Sequence, residues 1–363
     1  MGCRAERRGR TGSAKRRKET DFVKIGVLTG GGDCPGLNPA IRAIVMHALD
    51  YGDELVGLAQ GWKGLRDGIT RRLDLETVEP IIDQGGTILE SSRTNPLKDE
   101  GSIEACLATA KKLGLEALIA LGGEDTLGGA HGMCARGLKC VGVPKTMDND
   151  LSATDYTFGF DSAVSVAVDA ADRLKDTARS HRRVMVLEVM GRHAGWVALH
   201  TGVGGGADYI CIPEVPFDRK ELVEHMKEIQ ARGKHWGLVV VSEGVKRPEE
   251  GEGAVHAKDE FGHEKLGGIG EYVAAVIEKD AKIDTRYVSL GHIVRGGAPT
   301  PFDRWLATRV GIKAVDLVHE GTFDQMAAMH GTDIVGVPLE KAVGELKVVP
   351  RALYDEMRTL FSR

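Results

Sequence analysis

Two short glycine clusters, each placed directly after an apolar run, constrain the fold of this chain more than any other feature. The cluster Gly30–Gly32 follows the run Val23–Thr29 and precedes a helical pattern over Leu37–Leu49. The second cluster, Gly122-Gly123, follows the run Ala117–Leu121. Strand, glycine turn and helix in this order are typical of parallel sheets with helices on both faces. Because parallel strands end at one edge of a sheet, we expect both glycine turns to border one crevice.

The same alternation of strand and helix patterns continues along the chain. Further strands are predicted at Cys140–Val143, Val184–Val189, Tyr209–Pro213 and Gly237–Ser242, and helices at about Leu127–Arg136, Ala194–Thr201 and Arg219–Arg232. The segment Lys246–Lys265 is charged and poor in hydrophobic residues, which predicts an exposed loop. A chain of 363 residues is long enough for two ordinary α/β domains that close on a cleft.

Composition argues against several kinds of partner. The net charge is −5 with both signs interspersed, so neither a nucleic-acid partner nor a membrane partner is expected. No apolar stretch approaches the roughly 20 residues that span a bilayer, and the cysteines lack CxxC spacing, so we expect a cytoplasmic protein without a zinc site. Only Met1–Thr20 differs, because it is basic and almost devoid of apolar side chains. This composition predicts a disordered tail, with a transit peptide or a polyanion-binding arm as alternatives.

Both glycine loops have features of an anion site. The backbone N–H groups of Gly30–Gly32, at the start of a helix, are suited to a phosphate, although a tight turn between strand and helix would have the same sequence. The loop matches neither the G-x-G-x-x-G pattern nor the P-loop pattern, which argues against a dinucleotide-binding oxidoreductase. After Gly123, the adjacent carboxylates Glu124 and Asp125 are suited to meet a divalent cation on phosphate oxygens.

The segment Pro144–Asp150 combines a lysine, a hydroxyl group and two carboxylates directly after a strand. Phosphoryl transfer uses this mixture, because a carboxylate accepts the proton of the attacking hydroxyl and a lysine neutralises charge on the transferring group. Asp-Asn-Asp alone would also fit an ordinary turn. Its position after two glycine loops favours catalytic roles for Asp148 and Lys145.

Several arginines follow downstream at predicted strand ends, namely Arg183, Arg192, Arg286 and Arg295. A guanidinium group binds a phosphate monoester through two parallel hydrogen bonds. Each arginine taken singly is more often part of a surface ion pair, and a lone histidine such as His292 is more often structural. Together these residues indicate a site for a phosphate monoester.

Four segments, in order and spacing, resemble 6-phosphofructokinase: Gly26–Asp33, Pro144–Asp150, Glu188–Arg192 and Gly291–Gly297. The resemblance runs from about Val23 to about Phe302. It implies an α/β fold of two Rossmann-like domains with mostly parallel sheets and an active site in the cleft between them. The donor-binding domain would comprise residues 21–158 and about 294–348, and the sugar-phosphate-binding domain residues 159–293, with 349–363 as a C-terminal segment.

The resemblance also implies roles for individual residues. Asp148 resembles the base that deprotonates the 1-hydroxyl of fructose 6-phosphate, and Arg192 resembles the arginine that reaches the transferring phosphate. The sugar-phosphate positions match Thr146, Asp150, Met190, Gly191, Glu243, His292 and Arg295, together with Arg183 and Arg286, which match arginines from a neighbouring subunit. The donor positions match Gly31, Gly32, Arg93, Gly123 and Thr126, and Glu124 matches the Mg2+ position. The shared arginines imply a homodimer or homotetramer with shared active sites.

Two short segments depart from the ATP-using bacterial pattern of this family. That pattern has Gly-Gly-Asp-Gly and Pro-Gly-Thr where this chain has Gly122–Asp125 and Pro144–Thr146. Asp125 adds bulk and negative charge where the α-phosphate of a nucleotide would lie, and Lys145 adds positive charge at the reacting group. The resemblance therefore implies reversible, Mg2+-dependent phosphoryl transfer from pyrophosphate to fructose 6-phosphate. The alternatives are an ATP-dependent 6-phosphofructokinase and, more remotely, a noncatalytic sugar-phosphate sensor.

Overall fold

The computed structural model of the chain describes residues 22–248 and 267–361. The predicted tail, Met1–Thr20, lies outside the described residues, as does most of the loop predicted at Lys246–Lys265. Within the described part, strands and helices alternate along almost the whole chain. The sequence pattern anticipates this alternation.

The elements are numbered in chain order. The strands are β1 Lys24–Thr29, β2 Glu54–Leu58, β3 Thr70–Arg72, β4 Ala117–Gly122, β5 Cys140–Pro144, β6 Val184–Val189, β7 Tyr209–Cys211, β8 Gly237–Ser242, β9 Thr285–Ser289, β10 Gln325–His330 and β11 Asp333–Pro338. The helices are α1 Leu37–Tyr51, α2 Trp62–Asp67, α3 Leu75–Val78, α4 Glu100–Leu113, α5 Glu124–Cys134, α6 Phe160–His181, α7 Trp196–Gly204, α8 Arg219–Ala231, α9 Ile269–Val276, α10 Pro301–His319, α11 Leu339–Val343 and α12 Arg351–Arg358. Two 3₁₀ turns, Glu79–Ile81 and Gly291–Arg295, and a π-helical turn, Ile277–Ala281, accompany them.

The larger sheet has seven strands in the order β11-β10-β5-β4-β1-β2-β3. Its five central strands are parallel, and the edge strands β11 and β3 run antiparallel to their neighbours. Strand β1 is buried on both faces from Ile25 to Thr29, because helices cover both sides of a parallel sheet. The register pairs Thr29 with Leu121 and Gly122 with Pro144, so β1, β4 and β5 end side by side. The two glycine loops and the segment after Pro144 therefore leave one edge of this sheet together.

The smaller sheet has four parallel strands in the order β7-β8-β6-β9. Its central strands β6 and β8 are fully buried, and their only polar residues are Glu188 and Ser242. They end side by side at Val189 and Ser242, and the backbone N–H of Glu243 donates to Val189 O at 2.9 Å. The turns that follow these two strands form the second half of the site described below.

Most predicted elements have the expected type, but one boundary is wrong in a way that concerns function. Helix α5 begins at Glu124, not near Leu127, so Glu124 and Asp125 lie in the first helical turn. Apolar periodicity misses this turn because both carboxylates are exposed, while carboxylates are favoured there by the positive end of the helix dipole. Smaller deviations are that β7 already ends at Cys211 and that α7 begins only at Trp196.

The α/β fold with mostly parallel sheets is confirmed. No helix in residues 22–248 and 267–361 combines the length and apolar character needed to cross a bilayer.

Candidate active site

The three loops at the edge of the larger sheet line a cavity of about 240 Å³. Side chains from the turn after β6 and from the 3₁₀ turn Gly291–Arg295 close it from the other side. Its lining residues are Gly31, Gly32, Arg93, Gly123, Glu124, Asp125, Thr126, Lys145, Thr146, Met147, Asp148, Asp150, Arg192, His193 and Arg295. The cavity therefore brings together the predicted catalytic, donor and metal residues, with part of the predicted sugar-phosphate set.

Thr126 fixes the shape of both glycine loops. Its side chain is buried, and a Cβ added at Gly30 would lie 2.5 Å from Thr126 Oγ1. A Cβ added at Gly122 would lie 2.2 Å from Thr126 Cβ. Such distances are far below van der Waals contact, so only glycine allows the two loops to approach this side chain. Gly31 in addition adopts a φ of 77°, which favours glycine for a second reason.

Two cationic side chains converge on the first glycine loop. Lys145 is buried and donates a hydrogen bond from Nζ to Gly32 O. Arg295 donates from Nη1 to Asp33 O at 2.9 Å. Burial lowers the pKa of the Lys145 ammonium, and the neighbouring Arg295 guanidinium lowers it further, while Cys34 opposes them. A site with two positive groups against a glycine turn is suited to a bound phosphate.

Asp148 is the carboxylate with the most unusual surroundings in this cavity. It is only 8% exposed, and its Oδ1 atom is buried without a hydrogen-bond partner. Burial raises the pKa of Asp148 to about 7, and the adjacent charge of Asp150 raises it as well, whereas Arg295 and Arg192 act in the opposite direction. A carboxylate with a pKa near neutrality and a free oxygen is suited to accept a proton from a substrate hydroxyl.

Glu124 and Asp125 extend from the first turn of α5 into the same cavity. The pKa of Glu124 is raised by partial burial and then by the charges of Asp125 and Asp150, with His193 opposing. A divalent cation would relieve this repulsion. Within the described residues, no group of three or more His, Cys, Asp or Glu side chains is placed to hold a metal by itself. This donor set suits Mg2+, which usually binds one or two carboxylates, several waters and substrate phosphates.

The turn after β6 holds Arg192 in an unusual backbone conformation. Gly191 has a φ of 144° and Arg192 a φ of 21°, and Ala194 N donates to Gly191 O at 2.9 Å. The carboxylate of Glu243, whose pKa is raised by burial, accepts hydrogen bonds from the backbone N–H groups of Gly191 and Arg192. A Cβ added at Gly244 would lie 1.7 Å from Arg192 O. Backbone strain of this kind persists where neighbours enforce it, and it fixes the direction of the Arg192 side chain.

Six residues predicted for the sugar phosphate do not line the cavity: Gly191 and Glu243 support the Arg192 turn, and the other four lie beside the cavity or away from it. Met190 is half-buried at the end of β6, and His292 is exposed in the 3₁₀ turn. Arg183 and Arg286 lie at the amino ends of β6 and β9, where Arg183 Nε is 3.2 Å and Arg286 Nη1 is 2.7 Å from Asp284. The six-residue strand β6 separates Arg183 from the cavity by roughly 20 Å. Arg286 lies only slightly closer, because it pairs with Met185, the second residue of that strand. Within one chain, they do not reach Asp148.

Two features of the site were missed by the sequence analysis. His193 lines the cavity beside Arg192, and its position directly after a predicted site residue was the available signal. A second cavity of about 730 Å³ shares Gly31, Arg93 and the first turn of α5 with the first one, and extends to Arg66 and Lys98. This neighbouring space was not foreseen, because its wall is assembled from loops far apart in the sequence.

A cationic glycine loop and a buried carboxylate in one cavity of an α/β fold are suited to a phosphotransferase. The family model described as Phosphofructokinase matches residues 24–318, and the chain belongs to this family. The chain is similar to the pyrophosphate–fructose 6-phosphate 1-phosphotransferase of Dictyoglomus thermophilum, with 53% identity over 94% of this chain and 99% of the relative. It is also similar to ATP-dependent 6-phosphofructokinase 2 of Streptomyces coelicolor, with 51% identity over 93% of this chain and 100% of the relative.

Solved structures agree with this assignment. The phosphofructokinase of Pichia pastoris in the T-state superposes with a TM-score of 0.79 at 31% identity, over 89% of this chain and 36% of that longer chain. The identification of the sequence as a member of the phosphofructokinase family is therefore confirmed.

Proposed function

We propose that this protein transfers a phosphoryl group from pyrophosphate to the 1-hydroxyl of fructose 6-phosphate. The hydroxyl oxygen attacks the terminal phosphorus of pyrophosphate, a new P–O bond forms, and the bridging P–O bond breaks. The products are fructose 1,6-bisphosphate and orthophosphate, and the hydroxyl proton passes to Asp148. The same groups serve the reverse reaction, and no covalent enzyme intermediate is required.

The observation that supports this proposal most is the state of Asp148. Its unpartnered Oδ1 atom and its raised pKa suit a general base near neutral pH. Lys145 and Arg295 would neutralise charge on the donor phosphates, and Arg192 would do so at the transferring group. A noncatalytic sugar-phosphate sensor would have no use for a buried carboxylate that costs folding free energy.

Mg2+ fits the carboxylates at the start of α5. Glu124 would hold the ion, with Asp125 close by and the remaining positions filled by water and phosphate oxygens. The ion would supply charge neutralisation on the phosphates and fix their orientation.

Asp125 is the residue on which the choice of pyrophosphate depends. Its exposed carboxylate stands at the passage between the 240 Å³ cavity and the 730 Å³ cavity, because it lines both. A negative charge at this passage disfavours a nucleotide whose α-phosphate has to cross it. Pyrophosphate needs only the smaller cavity.

The second candidate function is an ATP-dependent 6-phosphofructokinase. It is favoured by the 730 Å³ cavity itself, which has space for a nucleoside and is bordered by Arg66, Arg93 and Lys98. Relatives named for either donor also share about half of their residues with this chain.

A donor competition assay decides between the two. The wild type, Asp125→Gly and Asp125→Asn are each assayed with fructose 6-phosphate and either pyrophosphate or ATP. We expect the wild type to prefer pyrophosphate, and Asp125→Gly to gain at least about tenfold in kcat/KM with ATP, equal to ~1.4 kcal/mol. Asp125→Asn keeps the bulk and removes the charge, so it separates the two effects. A wild type that prefers ATP, or a glycine variant that gains no ATP activity, would refute the role of Asp125.

We further propose a cytoplasmic homodimer or homotetramer whose sites are completed by arginines of a neighbouring subunit. The support is the position of Arg183 and Arg286, which lie at the sheet end opposite to their own cavity. The division into a donor domain, 21–158 with about 294–348, and a sugar-phosphate domain, 159–293, is part of the same proposal.

A further inference from the structure

A short C-terminal segment, Leu346–Val349, connects the two halves of the site. The backbone N–H of Lys347 donates to Asp150 O at 2.9 Å, and Leu346 forms an antiparallel bridge with Leu151. On the other side, Trp196 Nε1 donates to Lys347 O at 2.8 Å. The segment thus binds the loop of the catalytic carboxylates on one side and the start of helix α7 on the other.

Glu214 strengthens the second of these attachments. Its Oε1 atom accepts a hydrogen bond from Val349 N at 2.8 Å and another from Gly195 N at 2.9 Å. Gly195 follows Arg192 by three residues, so the segment is anchored close to the turn that directs this arginine.

The side chain of Lys347 binds the catalytic loop at three points. Nζ donates to Asn149 Oδ1 at 2.9 Å, to Thr154 O at 3.0 Å and to Asp155 O at 2.9 Å. An ammonium group has three N–H donors, so these acceptors use all of them. The same Nζ lies 5.7 Å from the centre of the Trp196 ring, close enough for a cation–π attraction.

The loop held in this way is strained. Asn149, which lies between the two carboxylates of the motif, has a φ of 52°, and Ala153 has a φ of 60°. Asparagine tolerates this left-handed region better than most residues, whereas alanine adopts it only when its surroundings enforce it. Thr157 N also donates to Asn149 Oδ1 at 3.1 Å. This one oxygen therefore accepts hydrogen bonds from both Lys347 Nζ and Thr157 N.

Two neighbouring carboxylates help to keep the ammonium group of Lys347 protonated. Partial burial lowers the pKa of its ammonium to about 8, while the carboxylates of Asp150 and Asp155 act to raise it. The group thus remains mostly protonated at neutral pH and can donate all three hydrogen bonds.

We propose that Lys347 is a positioning residue whose ammonium group sets the conformation of the Asp148–Asp155 loop and links it to the domain that bears Arg192. It touches neither substrate. Its effect on turnover passes through Asp148, and the inference therefore rests on the proposed function of that carboxylate.

The first test replaces Lys347 by methionine, which keeps an unbranched side chain as far as the ε position and removes the ammonium. Lys341→Met is the matched control, because this lysine is exposed on α11 in the same part of the chain. A displacement of about 1 Å costs on the order of 100-fold in rate, so we expect kcat of Lys347→Met to fall by roughly tenfold to 100-fold. The KM of fructose 6-phosphate should stay within about threefold, since Asp150 is the only residue of this loop that is predicted to bind the sugar phosphate.

The second test uses Lys347→Ala with added n-propylammonium chloride, which replaces the atoms that the substitution removes. We expect the amine to restore kcat by at least about fivefold, and n-propanol or sodium chloride of equal ionic strength to restore none. Circular dichroism and size-exclusion chromatography establish that each variant is folded and assembled as the wild type.

The outcomes are distinct. A Lys347→Met kcat within about twofold of wild type, or an alanine variant that is folded but not rescued by the amine, would overturn the inference. If neither variant folds, the lysine acts through stability alone and the inference is likewise overturned. If the wild type itself fails to use fructose 6-phosphate with either donor, it is the proposed function that fails.

Discussion

Replacing Asp148 by asparagine should abolish most turnover and, at the same time, stabilise the folded protein. The reason is that the fold holds this carboxyl group buried, which raises its pKa from 3.8 to about 7. Because the folded pKa is above the unfolded one, the folded state keeps a proton that the unfolded state releases between these two pH values. Stability therefore falls as the pH rises through this window, and above pH 7 the full cost is present.

The magnitude follows from the shift of about three pKa units, since each unit corresponds to about 1.36 kcal/mol. Ionised Asp148 thus costs ~4 kcal/mol of folding free energy at pH 8. At pH 5.5 the cost is only ~2 kcal/mol, because this pH is less than two units above the pKa of the carboxyl group in the unfolded state. Below about pH 3 the cost vanishes, because the carboxyl group is then protonated in both states. Asparagine has a similar shape without the charge, so the variant should gain about these amounts over the wild type.

Urea unfolding of the wild type and Asp148→Asn at pH 8 and pH 5.5, without ligands, measures the difference. Asp83→Asn is the control, since Asp83 is exposed and surface substitutions usually change stability by less than about 0.5 kcal/mol. A gain that is equal at both pH values, or an asparagine variant less stable than wild type at pH 8, would refute the account of Asp148 as a buried, costly base.

Two further predictions concern the two glycine loops around Thr126 and the subunit arrangement. In a thermal unfolding assay, Gly122→Ala should destabilise the protein by ~1–3 kcal/mol, because the new Cβ would lie 2.2 Å from Thr126 Cβ. The control is Gly128→Ala in α5, where a Cβ meets nothing within 4 Å. This variant should be neutral or stabilising by up to ~1 kcal/mol. Mixing inactive Asp148→Asn with Arg286→Ala subunits, after dissociation and reassembly, should restore about a quarter of wild-type activity if one subunit completes the site of another. A mixture no more active than its two components would exclude this sharing of Arg286.

The sequence was sufficient to predict the elements around the site because they follow simple rules. Strands β1, β4 and β5 are largely apolar runs, of which β1 ends directly before Gly30, β4 at Gly122 and β5 at Pro144. Parallel pairing then places their loops side by side. The convergence of Lys145 and Asp148 on the first glycine loop follows from that pairing alone.

Other elements gave weaker signals. Helix α6 buries Ala163, Ala167 and Ala171 on one face, and such small side chains produce little apolar periodicity, although their spacing of four residues is helical. Strand β10 has the sequence Gln-Met-Ala-Ala-Met-His, which no run of branched or aromatic residues distinguishes.

Local sequence patterns could not predict that Lys347 binds the Asp148–Asp155 loop. Its partner Asn149 is 198 residues away in the sequence, and nothing in the neighbourhood of either residue indicates the other. The same holds for the fixation of Arg192 by Glu243, which depends on two parallel strands ending side by side.

The position of Thr126 next to Asp125 has a consequence for how donor preference can diverge. Thr126 is buried and fixes the two glycine loops, whereas Asp125 is exposed and meets the passage beyond them. A substitution at position 125 can thus alter the charge at that passage while leaving the two glycine loops unchanged. If Asp125 has the proposed role, we therefore expect donor preference to change by substitution at this one position without loss of the fold.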